Sequence, residues 1–399
     1  MRLRSLLSPV WFVAAALAVA GCASSGPKEP TEKQKAEDRW RAARAGVMVN
    51  LAKDQYRNGQ FEKARKSTDE ALRLAPKNAQ AHLVSARLLI EKGQLEAAEQ
   101  ALAAARQLTP NDGEAFYLSG VVMQRWQKHE QSYELYKTAS AKSPAELAYV
   151  LAEAESLVTL ERQADALALL QAKSDYFEHS GTLRDAIGQL LMQQNRHAEA
   201  ARAFRQASVL SEDEPAIKER LALALYKTNQ HREAADLLAK LVQTEAYAKR
   251  ADLFVMLGEC QLLLKRTREA RITFESASQL DPYSAGVWRG LGRAALEQND
   301  YKRAELSLSK ALRFDGGRPE THLLLGTVSL AQGNLDAALV SFVTANKLDP
   351  TDPTAACMVG VVLERQKKPQ AAARWYTRAL QLRPGDKMAG DLLSSLDGN

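Results

Sequence analysis

Three cysteines and six histidines are the side chains of this 399-residue chain best able to ligate a metal, close a disulfide or attack a substrate. Their spacing assembles none of the motifs that would put them to such work. There is no Gly-x-x-x-x-Gly-Lys-Ser/Thr to cradle phosphate, no His-Glu-x-x-His to hold zinc, no Gly-x-Ser-x-Gly and no paired Cys-x-x-Cys. Cys22 is different, because of what precedes it. Arg2 and Arg4, an apolar run from Trp11 to Ala20, and small residues just before the cysteine make residues 1–21 an export signal. The run is shorter than the roughly twenty apolar residues a permanent transmembrane helix needs.

The tetrad Val19-Ala20-Gly21-Cys22 resembles the bacterial lipoprotein signal. That resemblance implies cleavage before Cys22 and a diacylglycerol on its thiol, so that Cys22 is the lipid attachment and membrane contact. Ala23 stands where Asp would favour retention at the inner membrane in enterobacterial members of the class. The expected location is the cell envelope, lipid-anchored, on an outer membrane facing the periplasm. Residues 23–30, small, polar and proline-containing, read as a tether. Thr31 and Gln34 form a candidate capping box opening a lead-in helix from Glu32, so residues 22–44 comprise anchor, tether and lead-in.

Beyond this segment the chain is periodic. Small residues recur every 34 positions at Ala52, Ala86, Gly120, Ala154, Gly188, Ala222, Gly258, Gly292, Gly326 and Gly360, with one step of 36 between the sixth and seventh. A second register follows twelve residues later, at Ala64, Ala98, Ser132, Ala166, Ala200, Ala234, Ala270, Ala304, Ala338 and Ala372. Four residues further on the side chain is bulky, as in Leu102, Tyr136, Phe204, Phe274 and Tyr376. A fixed period of this length is the signature of stacked structural repeats. Two antiparallel helices approach most closely where their residues are smallest, and bulk one turn away fills the adjoining gap. Pro76, Pro110, Pro144, Pro282, Pro350 and Pro384 would stop the second helix of a hairpin. A composition of 46% hydrophobic and only 6% aromatic residues suits helices packed through small side chains.

These registers resemble the tetratricopeptide repeat family over residues 45–386. The resemblance implies an all-α fold, a right-handed α-solenoid of about ten helix-turn-helix repeats starting near 45, 79, 113, 147, 181, 215, 251, 285, 319 and 353. Met388, Leu392, Leu393 and Leu396 then lie at helical spacing in a capping helix over 387–399. Repeats four to six lack the terminal proline, and two residues are inserted near Thr244 to Arg250. The array is expected to bend there, dividing into arms of about 45–178 and 251–399.

Placed in this frame, Cys260 and Cys357 stand three repeats apart, too far for the Cα separation of about 7 Å a disulfide tolerates. Two free, half-buried thiols are expected. His82, His322 and Trp288 share repeat position 4, where a packing role is expected. His129, His197 and His231 share position 17 at the hairpin turn, and adjacent repeats hold His197 and His231 roughly 10 Å or more apart, too far to share a zinc ion. No catalytic residue, metal site, cofactor or small-molecule substrate is expected. Basic and acidic residues are interleaved at a net charge of +6, which also argues against nucleic acid.

In the tetratricopeptide family the first helices line a groove for a partner peptide or helix. By resemblance, positions 2, 5, 9 and 12 offer Tyr117, Val121, Glu155, Asp185, Gln189, Glu219, Asp252, Glu259, Arg289 and Arg293 as the partner-binding groove, acidic in the middle and basic at repeat eight. The family's carboxylate clamp is not matched, because only Lys53 and Asn50 of repeat one fit it. The expected function is a membrane-anchored scaffold that binds proteins in the envelope, organised like the repeat lipoproteins that aid assembly of a pilus or secretion secretin. An adaptor in polysaccharide export or peptidoglycan maintenance is the alternative, with an enzyme whose site goes unrecognised as a third.

Overall fold

The computed structural model describes residues 31–397, in which there are 21 α-helices and no strand. Contacts divide the chain into two compact units, the first ending at Ser143 and the second beginning at Pro144. The first contains three hairpins: α1 (Glu32–Arg57) with α2 (Phe61–Leu74), α3 (Ala79–Glu91) with α4 (Leu95–Leu108), and α5 (Gly113–Arg125) with α6 (His129–Lys142). In the second, α7 (Leu147–Thr159) pairs with α8 (Gln163–Ala172), α9 (Gly181–Gln193) with α10 (His197–Leu210), and α11 (Pro215–Lys227) with α12 (His231–Leu241). There follow α13 (Ala251–Leu263) with α14 (Thr267–Leu280), α15 (Ala285–Glu297) with α16 (Tyr301–Phe314), α17 (Pro319–Ala331) with α18 (Leu335–Leu348), and α19 (Pro353–Arg365) with α20 (Pro369–Leu382). The last helix is α21 (Lys387–Asp397). Cys22, the expected lipid attachment, and the expected export signal over residues 1–21 lie outside the described residues. Among those residues, no helix is long and apolar enough to cross a membrane.

Thr31 opens α1 with a complete capping box, its hydroxyl accepting from the Gln34 amide while the Gln34 side chain accepts from the Thr31 amide. The helix then runs unbroken to Arg57, so lead-in and first repeat are one element.

Inside most hairpins the interface follows a size match between repeat positions 8 and 24, Gly292 facing Leu308 being an exception. A Cβ added to Gly120 would lie 2.5 Å from the Tyr136 ring, one on Gly188 2.5 Å from Phe204, and one on Gly360 2.5 Å from Tyr376. Where position 8 is alanine, as at Ala86, Ala154 and Ala222, its partner is the smaller Leu102, Leu170 or Leu238, all fully buried. Ser132, the one exception to alanine at position 20, is buried but satisfied, its hydroxyl donating to the Gly120 carbonyl at 2.9 Å. That bond marks how closely positions 8 and 20 approach.

All ten hairpin turns place position 15 in the left-handed region. Gly59, Gly93 and Gly333 do so at little cost, whereas Gln127, Glu161, Asn195, Asn229, Lys265, Asn299 and Lys367 carry a Cβ there. The geometry follows the Schellman pattern, with bonds such as Gln94 N–H to Leu89 C=O at 2.9 Å satisfying carbonyls at the end of the first helix. A left-handed L-residue costs about 1–2 kcal/mol, and glycine's extra freedom when unfolded returns about 0.4–1 kcal/mol of that. Glu161→Gly and Lys265→Gly are therefore expected each to stabilise the protein by about 0.5–1 kcal/mol in denaturant titration. Destabilisation by both would mean that side-chain contacts, not backbone strain, govern these turns.

The irregular repeats follow a different rule from the missing proline. Repeat five has Glu212 in the proline's place, yet α10 keeps its full 14 residues, like α4, α6 and α14, with Ser211 as its C-cap. The shortened second helices are α8, with 10 residues, and α12, with 11. These are the two repeats without alanine at position 27, where Lys173 and Leu241 stand. Elsewhere this alanine is fully buried, as at Ala139 and Ala207, and its carbonyl packs against the start of the first helix of its own hairpin, at Gly113 and Gly181. A lysine could not be buried there without stranding its charge, so the helix ends and Lys173 becomes its C-cap. The division between compact units falls at Ser143, not at the 36-residue step. At the C-terminus, α21 packs on α20 and buries Ala389, with Leu392, Leu393 and Leu396 partly covered and Met388 left exposed.

Candidate functional site

Four successive first helices of the second unit build a cavity of about 320 Å³. Its wall includes Tyr226 of α11, Glu259 of α13, Arg289 and Arg293 of α15, and Glu320 and Leu323 of α17. The two arginines share a face of α15 because they lie four residues apart. Between them Gly290, Leu291 and Gly292 are buried, and a Cβ on Gly292 would lie 2.6 Å from Leu308 of α16. Gly290 is required small by Phe274 of α14, whose ring it meets directly, and its lack of a side chain leaves room in the cavity above.

Charge pairing separates the residues of this face into two kinds. Asp185 is almost fully buried and gripped by Arg220 through two bonds of 2.7 and 2.8 Å, with Gln189 donating a third at 2.7 Å. Glu219 and Asp252 are both held by Arg250, at 2.9 and 2.7 Å, beside the Tyr247 ring. Glu259 accepts from the Tyr226 hydroxyl at 2.8 Å, and burial together with that bond raises the phenol's pKa. The acidic middle expected from the sequence is thus largely neutralised by arginines at positions that were not counted. Arg289 and Arg293 differ. Their nearest carboxylates, Glu320 and Glu297, stand at 3.6 and 3.7 Å, beyond hydrogen-bond reach, so both guanidiniums keep donors for an incoming group.

Of the sequence candidates, Glu259, Arg289 and Arg293 come together in this cavity. Glu155 and Gln189 line another of about 330 Å³ with Leu151 and Val158. Tyr117 and Val121 belong to the first unit, where both pack partly into its core and Tyr117 lies 5.6 Å from the Tyr136 ring. Tyr226, Glu320 and Leu323 were missed, although positions 12, 2 and 5 of their repeats would have found them.

His82, His322 and Trp288 have structural contacts. His82 and His322 meet the carbonyls of Pro76 and Gly316 at 2.9 and 3.1 Å through Nε2, which must carry the proton because a carbonyl only accepts. Trp288 makes the same bond to Pro282 at 2.7 Å. Each ties a first helix to the turn before it. Cys260 and Cys357 are unpaired and fully buried, deeper than the half-burial expected, and desolvation pushes their thiols up to about 12 and about 11. Among the described residues no three His, Cys, Asp or Glu side chains are arranged to hold a metal.

Arg250 braces the 36-residue step by linking α11 to the start of α13, and its hydrogen bond is the first cause of Asp252's lowered pKa. A carboxylate with a depressed folded pKa adds stability that is complete above its unfolded value, near 3.9, and is lost as pH falls through the folded value. Amide exchange over residues 242–250, corrected for intrinsic rates, is therefore expected to stay flat from neutral pH to about pH 5 and to quicken only below about pH 4. Arg250→Ala should quicken it at every pH. A change centred between pH 6 and 7 would assign the control to another group.

An array of antiparallel helix pairs, each closed by the same small-to-large contact, defines an all-α helical-hairpin solenoid. Residues 49–113 match the family described as tetratricopeptide repeat, and residues 210–396 match the cilia and flagella-associated protein 70 C-terminal domain. The chain is a tetratricopeptide-repeat protein. Among solved structures, the APC/C hetero-tetramer Cut9-Hcn1 is 14% identical with a TM-score of 0.50, covering 92% of this chain and 99% of its own. YrrB, titled a TPR protein with an unusual peptide-binding site, is 20% identical with a TM-score of 0.38, covering 48% of this chain and 97% of its own. MamA is 18% identical with a TM-score of 0.37, covering 43% and 92%. The likeness to Cut9-Hcn1 is one of fold. No curated protein matches the chain.

Proposed function

We propose that this tetratricopeptide scaffold is held on an envelope membrane through Cys22 and binds partner proteins there, gripping an acidic segment in the cavity of α11, α13, α15 and α17. Such a scaffold would serve the assembly or upkeep of an envelope complex, a pilus or secretion secretin being the kind that its organisation suggests. The observation that carries the groove reading is the contrast in pairing: Asp185, Glu219, Asp252 and Glu259 of this face are held by arginines or a tyrosine, whereas Arg289 and Arg293 have no hydrogen-bonded partner among the described residues. A guanidinium fork presents two parallel donors to a carboxylate, which suits an Asp or Glu of the incoming chain.

The test is crosslinking and co-purification of partners from membranes carrying the full chain. Arg289→Glu with Arg293→Glu is expected to remove partner capture while shifting stability by less than about 1 kcal/mol, as surface changes usually do. Unchanged capture would place the contact elsewhere, and loss of capture together with helical signal would make the arginines structural. In the same membranes Cys22→Ala should abolish labelling by a fatty acid; label that persists would refute the anchor.

A further inference from the structure

We propose that the missing last turn of α8 opens a second docking site, on the second-helix side of the second unit, that takes an acidic amphipathic segment of a partner protein. After α8 stops at Ala172 the chain crosses to α9 through Lys173–Ser180, where Tyr176 and Phe177 stack edge to face at 4.9 Å. Arg184 of α9 reaches back to the Ser174 carbonyl at 3.2 Å, and Ser180 caps α9 through the Leu183 amide. Between this crossing and the outer face of α10 lies an open cavity of about 540 Å³, with Glu178, Arg184, Arg202, Arg205, Val209 and Leu210 on its wall.

One feature of this wall departs from the repeat pattern. Position 29 is polar at Arg73, Gln107, Gln279, Arg313, Lys347 and Gln381, but in repeat five it is Val209, which is 67% exposed. Leu210 beside it is also exposed, so two neighbouring apolar side chains face water at the notch. Three arginines surround them against one glutamate. Arg205 is committed to Glu233 of α12 by bonds of 2.9 and 3.1 Å, and Arg184 has only a carbonyl partner. Arg202 has neither a hydrogen bond nor an ion pair among the described residues.

Apolar contact flanked by uncommitted positive charge is complementary to a helix or strand that alternates Leu-like and Asp- or Glu-like side chains. An anionic bilayer is the competing occupant, and the vesicles in the test separate it from such a segment. Because the notch is made by Lys173 and the groove by first-helix side chains, the two sites are separable by substitution.

The probe is a fluorescein-labelled peptide of about twelve residues with Leu and Glu at alternating helical turns, beside a twin with Lys for each Glu and vesicles of phosphatidylglycerol in phosphatidylcholine. Fluorescence anisotropy should show the acidic peptide binding the full chain and the lysine twin not binding. Measured in the Arg289→Glu, Arg293→Glu background, which silences the groove, Arg202→Glu with Val209→Asp, both on the surface, should weaken it at least tenfold. Lys173→Ala, which restores alanine at position 27 and should lengthen α8 over the notch, is expected to weaken binding without altering any wall residue. Equal binding of both peptides, an affinity indifferent to Arg202→Glu with Val209→Asp, or binding to vesicles alone would overturn the proposal.

Discussion

Gly188→Ala is expected to destabilise the second unit by about 1–3 kcal/mol, the cost of overpacking a closed core. The added methyl would meet the Phe204 ring at 2.5 Å, and neither helix can retreat, because Ala200 packs fully buried alongside. Phe204→Leu made in that background should recover much of the loss, since alanine facing leucine is the arrangement already present at Ala86 with Leu102 and at Ala154 with Leu170. Made alone, Phe204→Leu leaves a cavity and should also cost stability. The prediction is thus a coupling: the double variant should be more stable than the two single losses summed, by at least about 1 kcal/mol. Hydrogen exchange across α9 and α10 reads it directly, and simple additivity would refute the size match as the determinant of this interface.

A larger loss, about 3–5 kcal/mol, is expected for Phe274→Ala. The ring is fully buried and lies against Gly258 within its own repeat and Gly290 in the next, so its removal opens a cavity at two interfaces together. In a stack whose stability comes from repeats and their nearest neighbours, the damage should be local. Exchange should accelerate over α13 to α16 and remain unchanged over α1 to α6, which belong to the other compact unit. Acidic-partner capture at Arg289 and Arg293 should fall as well, because Gly290, against which the ring packs, lines the cavity between them. Acceleration spread evenly along the chain would mean that the units unfold as one.

The contrast between these interfaces and the binding face explains what could be read in advance. The small residues at positions 8 and 20 are legible because each repeat solves the same packing problem with the same backbone, so the solution recurs in the sequence. The capping box at Thr31 is equally local, needing only residues three apart. Charge is different. Asp185 and Glu219 look like open acids in a linear reading, but their partners, Arg220 and Arg250, arrive from residues 35 and 31 positions away.

Periodicity, small-residue registers and helix-stop signals by themselves determined an all-α hairpin array, because such patterns reflect contacts within one hairpin or between adjacent ones. Tertiary structure decided three further things. It set helix length through position 27, where Lys173 and Leu241 shorten α8 and α12 while the absence of proline in repeat five changes nothing. It placed the boundary of the compact units at Ser143. It also decided which charges remain available for a partner, since pairing depends on distances of a few ångströms between helices that are a full repeat apart in the chain, and no one-dimensional pattern encodes those distances.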